Sequence, residues 1–146
     1  MAKPMGGFGK NLPIGKSISS NAGRPLPVGA RLVCADNSGA KEIEIISVKG
    51  YGGVKRRIPS AGIGDLVIAS VKKGRPDIKK QIVKAVIVRQ KKEYKRYNGI
   101  SIAFSDNAAV VVGDDGTPKG SEVKGAVAKE ATERWSKIGT LASIVV

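Results

Sequence analysis

The chain contains no histidine, one cysteine and one tryptophan, and only 4% of its 146 residues are aromatic. Each shortage removes a class of function. Without histidine and with a single thiol, the ordinary zinc ligand sets cannot be assembled, so no metal or other cofactor is expected. Cys34 has no imidazole to activate it as a nucleophile and no second cysteine for an intrachain disulfide. A small apolar residue inside a strand is its plainer role, and a lone cysteine fits a reducing, cytoplasmic compartment. Long apolar runs are missing too. Nothing approaches the roughly 18 residues that span a bilayer, and residues 1–27 lack the apolar stretch of a secretory signal. With neither a basic amphipathic helix nor a lipidation motif, no membrane partner is expected.

Acidic residues are also scarce. Twelve Asp and Glu stand against 26 Lys and Arg, a net charge of +14. Self-repulsion on this scale points to a polyanionic partner. The excess is uneven: residues 1–105 hold 21 basic and 6 acidic side chains, whereas residues 106–146 hold 5 and 6. A polyanion suits the first part, and a less charged partner suits the second. The densest stretch, 72–96, contains Lys72, Lys73, Arg75, Lys79, Lys80, Lys84, Arg89, Lys91, Lys92, Lys95 and Arg96 against Asp77 and Glu93 alone. Tyr94 and Tyr97 lie among these cations, as stacking residues or as half-buried strand ends. No helix-turn-helix, basic zipper or zinc finger is present, which favours RNA over DNA.

Enzymatic motifs fail on inspection. Gly15-Lys16-Ser17 resembles the end of a phosphate-binding loop, but Lys10 stands where the first glycine belongs. Gly50-Tyr51-Gly52 is followed by Lys55 where a dinucleotide fingerprint needs its third glycine. Glu42 and Glu44 alternate with Ile43 and Ile45 and so mark the solvent face of a strand, while Asp114 and Asp115 fall in a turn. Catalysis is not expected.

Apolar residues, mostly Val, Ile and Ala, make up 41% of the chain, and the β-branched ones favour a pleated core. Residues 1–27, rich in Gly, Pro, Ser and Asn, read as a basic N-terminal arm carrying Lys3, Lys10, Lys16 and Arg24. From Val28 to Gly113, short runs bounded by Gly-rich turns predict strands at 31–35, 42–48, 66–71, 82–88, 100–104 and 109–112. In so short a stretch these favour a small closed barrel, which removes exposed edges. Around Gly74-Arg75-Pro76-Asp77, the flanking lysines predict a projecting basic β-ribbon over about 71–82. Residues 114–146 form a C-terminal part: a turn cluster, a helix over 126–135 with Val127, Ala131, Arg134 and Trp135 on one face, and a second short helix over about 136–142.

One stretch is specific. Ala85-Val86-Ile87-Val88, nine residues, Asn98-Gly99, four residues, Phe104, two residues, Asn107, two residues and Val110-Val111 fix identities and gaps over 27 consecutive positions. This pattern resembles the signature of the universal large-subunit ribosomal protein L-fourteen family. Cys34-Ala35-Asp36-Asn37-Ser38-Gly39-Ala40-Lys41, Ile63-Gly64-Asp65, Val71-Lys72-Lys73-Gly74 and Val127-Ala128-Lys129-Glu130 are similar to further family segments, so the resemblance covers about 28–146. The basic arm, the Gly50–Arg57 loop and Ser136–Val146 resemble archaeal and eukaryotic members more than bacterial ones. Ser105 and Ala126 depart from the family pattern, which carries an acidic residue and a proline there.

The resemblance implies a mainly β fold, a small five-stranded barrel with a ribbon and short C-terminal α-helices. It implies a structural constituent of the large ribosomal subunit that binds large-subunit rRNA and neighbouring large-subunit proteins. It also implies contacts with small-subunit rRNA at intersubunit bridges and reception of the anti-association initiation factor six by the C-terminal part. The residues expected to meet rRNA are Lys49, Lys55, Arg56, Arg57, Lys72, Lys73, Arg75, Lys79, Lys80, Arg89, Lys91, Lys92, Lys95 and Arg96. Those expected to meet a protein partner are Val127, Lys129, Glu130, Arg134 and Trp135. A free-standing nucleic-acid-binding module shares the charge and the barrel, and an enzyme acting on RNA is the remaining rival.

Overall fold

The computed structural model describes residues 20–146; most of the expected arm, with Lys3, Lys10 and Lys16, lies outside the described residues. The elements in chain order are β1 (Ser20–Asn21), β2 (Leu26–Pro27), β3 (Arg31–Cys34), β4 (Ala40–Val48), β5 (Ser60–Ala61), β6 (Leu66–Gly74), β7 (Ile82–Arg89), β8 (Tyr94–Arg96), β9 (Ser101–Ile102), β10 (Ala108–Val112) and β11 (Val123–Val127). Helices α1 (Lys129–Arg134) and α2 (Ser136–Leu141) and strand β12 (Ala142–Val145) follow.

Five strands close into a barrel in the order β10-β3-β4-β6-β7. All neighbours are antiparallel except β10 and β3, which run parallel with Ala108 opposite Val33 and Ala109 opposite Cys34. The interior is filled by the inward residues of each strand, among them Leu32, Ile43, Ile45, Val67, Ala69, Val71, Ala85, Ile87, Ala109 and Val111. Strands β4 and β6 alternate buried with exposed or half-buried residues, as strands with one wet face must.

Strands β7 and β10 do not alternate: Ala85 to Val88 and Ala108 to Val112 are buried without a break. Their outward residues, Val86, Val88, Ala108, Val110 and Val112, belong to a second core with Val123, Val127, Ala128, Ala131, Trp135 and Ile138. The C-terminal part therefore packs on the outside of one barrel wall, and the continuous apolar runs are the sequence cost of burying both faces.

In three places the elements differ in detail from those expected. The β6–β7 ladder reaches Ser70 opposite Ile82 and is extended by Val71, whose N–H donates to the Gln81 carbonyl (3.0 Å) and whose carbonyl accepts from Lys80 N–H (2.9 Å). Strand β6 does continue to Gly74, but its partner there is β4, with Lys73 opposite Glu42 and Gly74 opposite Ala40. A side chain at Gly74 would meet the Gly39 carbonyl, so the small residue permits this approach. Residues 75–81 close instead through turns, with Ile78 and Lys79 N–H both donating to the Arg75 carbonyl (3.1 and 2.9 Å). The expected strand 100–104 is only Ser101–Ile102, and it pairs with β8 outside the barrel. The first helix begins at Lys129 rather than 126, because residues 123–127 form β11 and pair with β12.

Candidate nucleic-acid interface

Charged side chains cover the outer face of β3, β4 and β6. The Arg31 guanidinium lies 3.2 Å from Glu42 and 3.3 Å from Glu44, Lys73 lies 2.9 Å from Glu42, and Lys72 lies 3.7 Å from Glu44. A bulge opposite Glu42 and Ile43 leaves Lys72 without its own partner on β4, so that Lys72 and Lys73 both face out. Hydrogen bonding from Lys73, then the charges of Lys73 and Arg31, holds the Glu42 carboxyl below its ordinary range. Exposed pairs of this kind add little stability. They do tie Lys72 and Lys73 to acceptors within the chain, with three cations sharing two carboxylates. Arg75 is similarly engaged, 3.6 Å from Asp77 and donating to the Ser38 carbonyl at 3.1 Å.

Other cations have no such partner. Lys55, Arg56 and Arg57 in the loop after β4, Lys79 and Lys80 in the turn after β6, and Lys91, Lys92 and Lys95 after β7 are exposed. None forms an ion pair with another described residue. Lys49, exposed at the end of β4, adds to the positive field of Lys84 that holds the Asp114 carboxyl down. Arg24 is placed 5.8 Å from the centre of the Tyr51 ring, which ties the start of the described chain to the basic loop after β4.

Two of the unpartnered cations occupy strained backbone. Arg56 (φ 66°) and Lys80 (φ 67°) are the non-glycine residues with positive φ among the described residues. A side chain in this region costs about 1–2 kcal/mol relative to the right-handed form. Glycine would remove that cost, so the retained charge is the informative feature at both positions.

The structure places the remaining expected RNA contacts differently. Arg89 is held inside the chain: its guanidinium lies 3.0 Å from Asp106 and donates to the Lys124 and Ala126 carbonyls at 3.0 and 3.1 Å. It thus fastens β7 to β11 and to the loop before β10. Arg96 is likewise engaged with Glu130, Nε to Oε1 at 2.7 Å, and with the Val146 carbonyl. Both arginines thus act as internal clamps, each tying distant segments together through a carboxylate and backbone carbonyls.

The residues expected to meet a protein partner are mostly enclosed. Val127, Glu130 and Trp135 are buried, and the Arg134 side chain lies against Asp65 at 2.9 Å. The Trp135 indole N–H donates to the Gly64 carbonyl at 2.8 Å, and the Tyr94 hydroxyl donates to Glu130 at 2.9 Å. Burial raises the Tyr94 pKa, and its bond to the carboxylate adds to the effect. These contacts seat α1 on the barrel. Lys129, Ser136, Lys137 and Thr140 are the exposed residues a partner at this face would meet.

Sequence reading missed the acceptors that capture the arginines. Asp106, Glu130 and Asp65 lie 17, 34 and 69 positions from Arg89, Arg96 and Arg134. It also missed Gln90, fully buried, which accepts from Ile63 N–H (3.2 Å) and donates to the Ala22 carbonyl (2.7 Å). A polar residue at the end of an apolar run was the one available signal. Cys34 is half-buried and donates to Asp36, and burial, followed by the Asp36 charge, pushes its thiol up to about 12. Among the described residues no cluster of three or more His, Cys, Asp or Glu is placed to hold a metal ion.

A family model described as ribosomal protein L14p/L23e matches residues 25–146. A large ribosomal subunit protein uL14 from Methanococcus vannielii is 58% identical over 130 residues, covering 89% of this chain and 98% of that protein. Proteins of the same name from two strains of Methanococcus maripaludis match at the same identity and coverage.

Proposed function

The chain belongs to the ribosomal protein L14p/L23e family, and from that premise we propose that its exposed, unpartnered cations bind large-subunit rRNA. Its relatives are structural proteins of the large ribosomal subunit rather than enzymes, and this chain is a structural constituent of the same subunit in the cytoplasmic ribosome. The observation that carries the rRNA reading is the division among the basic residues. Arg89, Arg96 and Arg134 are held by buried or half-buried carboxylates, and Lys72 and Lys73 share surface ones with Arg31. Lys55, Arg56, Arg57, Lys79, Lys80, Lys91, Lys92 and Lys95 are left exposed on loops and a short hairpin, where phosphates can reach them. Arginine grips a phosphate in two places while lysine acts as a point charge, so Arg56 and Arg57 fix orientation most strongly.

Contacts with neighbouring large-subunit proteins, with small-subunit rRNA at intersubunit bridges, and with the anti-association initiation factor six complete the proposed set. The face formed by α1 and α2 suits the factor, since the chain beyond residue 105 is near neutral and Lys129 and Lys137 are exposed on it. Sedimentation of a cell extract through a high-salt gradient, with each fraction blotted for this chain, tests the proposal. Retention on the large subunit at about one copy each is expected. Recovery at the top of the gradient, or along with bulk nucleic acid, would establish a free-standing binder instead.

A further inference from the structure

We propose that Tyr97 is a stacking platform for an unpaired base of large-subunit rRNA, an inference that rests on the rRNA-binding reading above. Aromatic residues are few in this chain, and the other described ones are occupied. Tyr94 is buried against Glu130, Trp135 is buried against Gly64, Phe104 packs on the second core, and Tyr51 lies beside the Arg24 guanidinium. Tyr97 is 88% exposed, more than any other large hydrophobic side chain among the described residues. It makes no hydrogen bond or ring contact with another described residue.

The ring is held out on a built stem. Strands β8 and β9 pair with Tyr94 opposite Ile102 and Lys95 opposite Ser101. Above them, Arg96 N–H donates to the Ile100 carbonyl and Gly99 N–H to the Arg96 carbonyl, each at 2.9 Å. The Asn98 side chain accepts from Ile100 N–H at 3.1 Å, and Gly99, at φ +84°, supplies the left-handed step. The foot of this hairpin is fastened to the buried Glu130 by both Tyr94 and Arg96. β1 pairs along the other edge of β8, Ser20 opposite Arg96. A ring on so fixed a stem loses little freedom when a planar partner covers it.

Charge selects the partner. Lys91, Lys92 and Lys95 are exposed on the approach to the hairpin, with Glu93 the one acidic residue between Lys91 and Tyr97. A phosphate-bearing strand satisfies the lysines while its base covers the ring, a combination that recurs in binding of single strands. A base inside a duplex has no free face, so the partner is an unpaired nucleotide.

The test uses the full chain, deproteinised large-subunit rRNA and an RNA duplex as control. Tyr97→Ala should weaken rRNA binding about tenfold or more while leaving the log–log salt slope unchanged, because no phosphate contact is lost. Tyr97→Trp should bind like the parent, and its added fluorescence should be quenched by rRNA and not by the duplex. Trp135, the parent's one tryptophan, reports in each variant that the fold is intact. Equal binding by Tyr97→Ala and parent overturns the stacking inference alone. Quenching of Tyr97→Trp by stripped large-subunit proteins but not by rRNA also overturns it and assigns the ring to a protein contact. If the parent itself does not bind rRNA, the rRNA-binding reading falls and the stacking inference with it.

Discussion

Glu130 grips Arg96 in two places, Nε to Oε1 at 2.7 Å and Nη2 to Oε2 at 3.2 Å, across 34 positions of sequence. The side chains are 16% and 6% exposed for Arg96 and Glu130, so the pair is largely shielded from water. It joins the β8–β9 hairpin to the helix α1. Removing one partner strands the other with its desolvation cost unmet. Glu130→Gln and Arg96→Ala should each lower stability by about 2–3 kcal/mol, read from urea unfolding followed by Trp135 fluorescence. A loss below about 0.5 kcal/mol for both, the level of an exposed pair, would contradict the clamp.

The same carboxylate sets an acid response. Burial opposes ionisation of Glu130, but the bonds from Arg96, the backbone and Tyr94 outweigh it and hold its pKa below the ordinary range. A carboxyl depressed on folding contributes stability that is complete above its unfolded pKa, about 4.3. That contribution is lost as pH falls through the folded value. The parent's Tm should therefore stay level near neutrality and drop below about pH 4.5, whereas Glu130→Gln should start lower and change less over the same interval. Thermal melts from pH 3 to 7 decide it. A constant Tm difference at every pH would show that Glu130 contributes shape and not charge.

The barrel was legible because its signals are local. Alternation at 42–48, the Asn98-Gly99 turn and the turn cluster after Val112 each follow from a few neighbouring residues, and the structure has them. The two C-terminal helices were also visible by propensity. Pairings between distant segments were not. Nothing near Val123 announces that it will pair with Ala142, and nothing near Arg89 points to Asp106. Likewise, lysines on both sides of a turn carry no information about which strand β6 will join beyond Val71. The unbroken Ala85–Val88 and Ala108–Val112 runs did hold a clue, since strands buried on both faces lose alternation, and that clue places the C-terminal part. For the candidate interface, charge density found the right region but could not separate cations held by the chain from those left over.

Backbone strain at Lys80 and Arg56 gives a prediction in which stability and binding move in opposite directions. Both residues sit at φ near +66°, where glycine carries no steric penalty. Lys80→Gly and Arg56→Gly should each raise stability by about 0.5–1 kcal/mol. Each should also make the salt dependence of rRNA binding shallower by nearly one phosphate. Urea unfolding paired with filter binding at several salt concentrations reads both. A glycine variant with the parent's affinity and slope would mean that the cation faces solvent only.

Gly62 fixes how the segment before β3 meets the barrel. A methyl group there would fall on the Gly23 carbonyl oxygen, which is backbone and has little room to yield. The Gly62 N–H also donates to the buried Asp65 at 2.8 Å, so the residue cannot simply swing away. Gly62→Ala should cost about 1–3 kcal/mol, and limited proteolysis should then cut earlier within residues 22–27. Unaltered stability and proteolysis would show that this segment rests loosely on the wall.

Arg89 and Lys91 stand two residues apart and should behave as opposites. The Arg89 side chain is 12% exposed, and its guanidinium spans Asp106 and two carbonyls of β11. Gly125, at φ +76°, presses so closely on the Arg89 guanidinium that a side chain there would collide with it. Arg89→Ala leaves a carboxylate and two carbonyl oxygens without their donor, so stability should fall by about 2–4 kcal/mol. The salt slope of rRNA binding should not change, since the Arg89 guanidinium is largely shielded and already held by Asp106 and two carbonyls. Lys91 is exposed and has no ion-pair partner among the described residues. Lys91→Ala should leave stability within about 0.5 kcal/mol and reduce the slope by nearly one. The reverse pattern, a weakened slope for Arg89→Ala with normal stability, would mean that Arg89 leaves its carboxylate to meet RNA and that the division between structural and binding cations is drawn in the wrong place.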